Sequence, residues 1–253
     1  MPEEIRTPEP SNEMSFSDKF VGILSSPSEI YQQISTMEPK NSNWGLPVVF
    51  TLIMMLIYMF VVFNQAPIQD QMQDSQLKEM QKQVADGKMT QEEMDRAVGF
   101  MPKPGSPIWM IFGSVGIAIF VFASLFGFSL VYWIVGKFAF KSVVPYMKVC
   151  EVYGLSMYIA AVSSLIGMVF VVSMGSIYAG ANLAMLVGEV DPVNKTHIFL
   201  SSINLFTLWQ YVVIGIGFSK VWSVSSVKGI LVGVGVWLMW TVLFSYGGAL
   251  IGR

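Results

Sequence analysis

From Trp44 onward the chain alternates long uncharged stretches with short polar ones, and the uncharged stretches set the expected architecture. Leu52 to Phe63, Ile108 to Gly136, Val152 to Gly188, Ile198 to Ser219 and Gly229 to Gly252 contain no Asp, Glu, Lys or Arg, and the first runs back uncharged to Trp44. Each therefore reaches the roughly 20 residues that a helix needs to cross a bilayer core. The pattern predicts five membrane spans, at about 44–63, 108–136, 152–174, 198–219 and 229–252. The third stretch is too long for one upright helix. Gly175 and Gly180 place a break near Met174 and leave 175–188 as an interfacial or re-entrant helix.

Shorter periodic segments flank the spans. Phe16, Phe20, Ile23 and Leu24 recur at helical steps, as do Ile30, Ile34 and Met37. Between the two sets, Ser26, Pro27 and Glu29 read as the N-cap, first residue and third residue of a capping box. Two amphipathic helices this short are unstable alone in water, so their apolar faces must lie in the headgroup region or pack under the bundle. Between Asn64 and Pro107 a helical hairpin is expected over 68–99. Its first arm carries Leu77, Met80 and Val84 and ends at Asp86–Gly87, and its second opens on a capping box at Thr90 and Glu93. It is either a solvated spacer or a docking surface. The fold class is all-α: a five-span membrane helix bundle with two short N-terminal helices and an external hairpin, preceded by a disordered acidic tail over 1–15.

Composition agrees, with hydrophobic residues at 53%, charged residues at 13% and a mean hydropathy of +0.57, far from the soluble norm. Of the 17 acidic residues 14 precede residue 108, so nearly all soluble surface belongs to the tail and the first loop. The first 45 residues are acidic and polar, which leaves the first span to act as its own insertion signal. Lys137, Lys141 and Lys148 follow the second span, and Lys220 and Lys228 follow the fourth; the opposite loop, Glu189 to His197, holds Lys195 alone. The positive-inside rule then puts the N-terminus in the cytoplasm and the C-terminus outside.

Catalytic chemistry has little material. His197 has no second histidine or carboxylate cluster beside it, and Cys150 is the one cysteine, which excludes an internal disulfide. No catalytic, cofactor or metal site is expected, and no nucleic-acid partner. No charged side chain falls within the predicted spans, which counts against an ion-coupled pump. Neutral polar groups do occur there: Asn204, Thr207 and Tyr211 share a face of the fourth span with Gln210 next to it, and Ser156, Ser163 and Ser164 lie on the third. They read as interhelical hydrogen bonds or as a polar track for lipid headgroups or a neutral solute. Gly229 with Gly233 and Gly248 with Gly252 form small-residue notches in the last span, and Ala123 with Gly127 adds one in the second. Such notches let backbones approach within one molecule or between protomers. Trp109, Trp133, Trp209, Trp222 and Trp240, with Tyr132 and Tyr153, fall near predicted span ends as an interfacial belt.

Three stretches carry a family resemblance. "FVGILSSPSEIY", with Pro27, Ser28 and Glu29, is followed by a polar gap and "WGLPVVFTLIMML" from Trp44. "CEVYGLSMY", with Tyr153, Gly154 and Ser156, then opens the third span, and "INLFTLWQYVVIGIGFSKVWSVSSVKG" spans the fourth. In this order and spacing, over Phe16 to Gly252, they resemble the Yip family of Ypt-interacting integral membrane proteins. The resemblance implies a cytoplasmic N-terminus, five spans and association with other membrane proteins. Eukaryotic members act at Golgi and endoplasmic-reticulum membranes with prenylated Rab-type GTPases. This chain lacks their long cytoplasmic region and its Asp–Leu–Tyr–Gly–Pro-type motif, so GTPase binding does not carry over. Its long first loop is similar to prokaryotic members, implying an inner-membrane protein. Two functions are expected from these features. One is a non-enzymatic organiser or adaptor forming homo- or hetero-oligomers in the bilayer; the other is a small permease or lipid-translocating protein.

Overall fold

The computed structural model describes residues 14–251, with side chains described as far as Tyr246. Most of the predicted acidic tail, and Gly252, lie outside the described residues. In chain order the helices are α1 (Phe16–Ser25), α2 (Pro27–Ser35), α3 (Ser42–Val62), α4 (Ala66–Ala85), α5 (Gln91–Phe100), α6 (Pro107–Ala139), α7 (Tyr146–Met174), α8 (Lys195–Ser202), α9 (Leu205–Val221) and α10 (Ser226–Ile251). Among the described residues, α3, α6, α7 and α10 are long and apolar enough to cross a membrane; α9 is apolar but has 17 residues. The chain is a multi-pass, all-helical membrane protein.

At the centre stands α7, packed on α3, α6 and α9, while α10 packs on α9. Small residues decide the closest approaches. A Cβ on Gly154 of α7 would sit 2.5 Å from Cβ of Trp44, so the first turn of α3 can lie there only against a glycine. Gly215 of α9 and Gly229 of α10 meet backbone to backbone, where a Cβ on Gly229 would fall 2.2 Å from the Gly215 carbonyl oxygen.

Both N-terminal helices pack under the bundle, α1 on α7 and α2 on α9, with Ile23, Tyr31 and Ile34 fully buried. Tyr31 donates to the Val152 carbonyl at 2.9 Å, its ring lying over Gly217. Phe16, Phe20 and Phe50 surround the Tyr158 ring at centroid distances of 5.3 to 6.0 Å. The cap at this joint differs from expectation. Ser26 makes no side-chain cap bond, because it also ends α1, its amide donating to the Gly22 carbonyl with φ −139° and ψ 56°. Its side chain is thereby taken out of the extended geometry that a cap uses. Glu29 and Ser28 are exposed, and Pro27 is the first residue of α2. The capping box forms instead at Ser15 and Asp18, whose hydrogen bonds from Ser15 hold the Asp18 carboxyl below the usual carboxylate range. In the hairpin formed by α4 and α5, the Thr90–Glu93 box is present and Gly87 turns the chain at φ 69°.

Three further features depart from the sequence reading. First, α7 starts at Tyr146, six residues earlier than the uncharged stretch implied, and so takes Lys148 and Glu151 into its first turns as a buried ion pair. A rule that ends spans at charges cannot see two charges that neutralise each other. Second, 175–188 holds no helix beyond a short 3-10 turn at Leu183–Leu186. Gly175 ends α7 in the left-handed conformation at φ 64°, and Asn182 pairs with Asn204 in an isolated bridge. Third, the fourth predicted span is broken at Ile203–Asn204 into α8 and α9. Asn204 is the N-cap of α9, its Oδ1 accepting from the amides of Phe206 and Thr207; Asn favours this position over a helix interior.

Candidate functional site

Between α3, α6, α7, α9 and α10 the bundle encloses a cavity of about 540 Å³. The fourth-span residues Asn204, Thr207, Gln210 and Tyr211 form one wall, and Ser163 and Ser164 of α7 face it. Ser156 stands behind the lining. Its hydroxyl donates to the Tyr153 carbonyl at 2.6 Å and accepts from Gln210 Nε2 at 3.3 Å, which anchors the Gln210 side chain at the wall. Sequence reasoning missed Thr51, Tyr58, Ser124, Asn182 and Thr241, which complete the polar lining. Thr51, Tyr58, Ser124 and Thr241 are each a lone polar residue in an apolar run, whose helix face is fixed only once the bundle is assembled, and Asn182 comes from the loop after α7.

The remaining wall is aromatic. Phe128 stacks on Tyr153 at 5.9 Å and meets Tyr211 and Trp240 edge-on at 6.4 and 5.2 Å, while Tyr211 stacks on Trp237 at 6.1 Å. Tyr132, Tyr153 and Trp222, expected in an interfacial belt, are buried in the core instead. Their rings fill space between helices, with Tyr132 over Phe218 and Trp222 against Gly136. Among the described residues no Asp, Glu, Lys, Arg or His lines the cavity.

Toward the N-terminal helices the lining stops at Thr51, Phe128, Tyr153, Tyr211 and Trp237, and the next layer is filled by the buried side chains of Tyr132, Val152, Ile214 and Phe218, so the cavity ends blind there. Tyr132 donates to the Gly233 carbonyl at 3.2 Å, and beyond it lies a buried polar node built on Glu151. That carboxylate pairs with Lys148 and accepts from the backbone amide of Lys40 and, at 2.8 Å, from Asn43 Nδ2. Lys148 also donates to the Ile34 carbonyl at 3.1 Å, tying the end of α2 to α7. One ion pair thus fastens α2, the α2–α3 linker and α3 to α7.

Gly180 also borders the cavity, and the small residues expected to form helix notches lie elsewhere. Gly229 and Gly233 pack on Gly215 within the molecule, and Gly248 lies in the backbone of α10. Ala123 and Gly127 face outward, with nothing within 4 Å of a Cβ on Gly127. His197 Nδ1 accepts from the Asp191 amide at 3.0 Å, and Asn194 caps α8, so both serve the loop that holds them. Among the described residues no group of three His, Cys, Asp or Glu side chains gathers to hold a metal ion.

A family model described as the Yip1 domain matches residues 21–247, nearly the whole described chain. No curated protein and no solved structure matches it.

Proposed function

The chain belongs to the Yip1-domain family, and from that premise we propose that it is a non-catalytic membrane organiser with five spans and a cytoplasmic N-terminus, set in a prokaryotic inner membrane. At about 1.5 Å per residue α9 is roughly 25 Å long, a little short of a bilayer core. Its packing between α7 and α10 supports counting it as the fifth span. Lys137, Lys220 and Lys228 lie at the end of the bundle that carries α1 and α2, in keeping with a cytoplasmic N-terminus.

The observation that carries the reading is the blind end of the cavity. A permease needs a path through the bundle, and α1, α2 and the Glu151 node seal it on the N-terminal side. A bundle closed at that end suits a protein that works by its outer surface. One such surface is α6, where Ile111, Phe112, Val115 and Ile119 are all more than half exposed. Partners, of its own kind or another, would meet it there within the bilayer.

Two arms of one experiment test this. In proteoliposomes, neither an entrapped uncharged solute nor a fluorescent phospholipid should cross faster than in protein-free vesicles. In native membranes, a photoreactive residue at Ile111 or Ile119 should form protein adducts. Protein-dependent flux that disappears in Gln210→Leu, or adducts to lipid alone, would overturn the reading.

A further inference from the structure

The cavity also faces sideways. It lies directly behind the seam between α6 and α10, lined by Phe120, Ser124 and Phe128 on one side and Trp237, Trp240, Thr241 and Phe244 on the other. Among the described residues these two helices meet at Phe128–Trp240 and at Tyr132–Gly233, and they pack less closely on each other than α10 does on α9. Both contacts lie toward the N-terminal helices. Farther from them, Phe120, Trp240 and Phe244 line the cavity and are at the same time 63%, 52% and 75% exposed, so the lining runs out onto the outer surface of the bundle there. The opening therefore leads from hydrocarbon into a polar-walled chamber.

Inside, several polar groups stand unused. Most helical hydroxyls here donate to a carbonyl one turn back, as Ser124 and Ser164 do to Val121 and Ala161. The hydroxyls of Ser163, Thr207 and Thr241, which line the cavity, make no hydrogen bond to any described residue. In a chamber surrounded by hydrocarbon an unmet hydroxyl costs free energy, so these groups are set to bind something that hydrogen-bonds. That occupant carries no charge, because the described lining has none to neutralise a phosphate or an ammonium.

We propose that the cavity is a binding site for an uncharged two-chain lipid of the diacylglycerol class, entering from the bilayer through the α6–α10 seam. Its hydroxyl and ester oxygens meet Ser163, Thr207 and Gln210, and the start of its chains lies against Phe128, Trp237 and Trp240, with the tails leaving through the seam. A volume of about 540 Å³ falls within the range of roughly 300–1,000 Å³ typical of small-molecule sites, enough for the polar end and the first part of the chains. This asks only for binding, so it stands or falls apart from the organiser reading.

The test uses the full chain in phosphatidylcholine nanodiscs doped with a photoactivatable diacylglycerol or, separately, a photoactivatable phosphatidylcholine, with adducts mapped by mass spectrometry. The diacylglycerol probe should label α6, α7 or α10 at cavity residues, and unlabelled diacylglycerol should compete. Thr207→Val, which keeps the shape and removes the hydroxyl, should weaken that labelling about fivefold, the size of one lost hydrogen bond. Ser163→Leu, which fills the chamber, should abolish it. If Ser163→Leu does not fold, Thr207→Val decides alone. Equal labelling by the phosphatidylcholine probe, adducts confined to the outer face of α6, or labelling unchanged in Thr207→Val would overturn the proposal. Competition by free glycerol would also overturn it, by showing that the occupant comes from water.

Discussion

Gly229→Ala should be among the most damaging single-methyl changes available in this protein. The added Cβ would lie 2.2 Å from the Gly215 carbonyl oxygen and 2.8 Å from Cβ of Ser219, with backbone on the opposing side that cannot rotate away. The α9–α10 pair must separate to admit it, and forced overpacking of this kind costs about 1–3 kcal/mol, occasionally more. Within lipid the loss is compounded, since close van der Waals approach is what attracts the helices when both solvents are apolar. Gly127→Ala provides the contrast: its Cβ meets nothing within 4 Å, and helix propensity favours alanine by up to about 1 kcal/mol. Thermal unfolding in detergent should therefore show a large drop in Tm for Gly229→Ala and none for Gly127→Ala. Equal behaviour of the two would mean that the α9–α10 seam is not packed as described.

Lys148→Met should free the end of α2 and the α2–α3 linker. It leaves the Glu151 carboxylate fully buried without its counter-charge and removes the donor that holds the Ile34 carbonyl. Breaking one side of a buried ion pair costs about 3–5 kcal/mol. Part of that cost should appear as release of the end of α2 and of the α2–α3 linker, which the node holds at the Ile34 carbonyl and the Lys40 amide, and protease should then cut that linker. Adding Glu151→Met should restore part of the loss, because a charge-free pair needs no neutralisation. The recovery stays incomplete. Glu151 also accepts from the Lys40 amide and from Asn43, and each donor left unpaired in the interior costs about 1–3 kcal/mol. An unchanged digestion pattern in Lys148→Met would show that the pair does not hold that segment.

Much of this architecture was legible because membrane helices advertise themselves by length and lack of charge. The uncharged stretches gave the positions of α3, α6 and α10 to within a few residues, and the hairpin formed by α4 and α5 followed from its turn at Gly87 and the cap at Thr90. The start of α7 was hidden for the reason that makes it interesting: Lys148 and Glu151 satisfy each other, and partners at 40, 43 and 34 are more than a hundred residues away in sequence. Asn204 illustrates a second limit. On a helical wheel it joins Thr207 and Tyr211, but its side chain is spent on capping α9 while still bordering the cavity. The glycine pattern in α10 pointed to a close approach without naming the partner, which is Gly215, part of a Gly-x-Gly string in α9 that composition alone did not mark. The cavity depends on five helices at once, so single-helix periodicity showed only one of its walls.

Side-resolved cysteine labelling tests the sealed, one-ended cavity most directly. Cys150 is the one native cysteine and is buried, so Cys150→Ser gives a background into which Ser163→Cys or Thr207→Cys can be placed on the cavity wall. In oriented vesicles a membrane-impermeant thiol reagent should modify neither position from the N-terminal side, while a membrane-permeant reagent, which reaches the cavity through the bilayer, should modify both. Modification by the impermeant reagent from the N-terminal side with α1 and α2 intact would contradict the account.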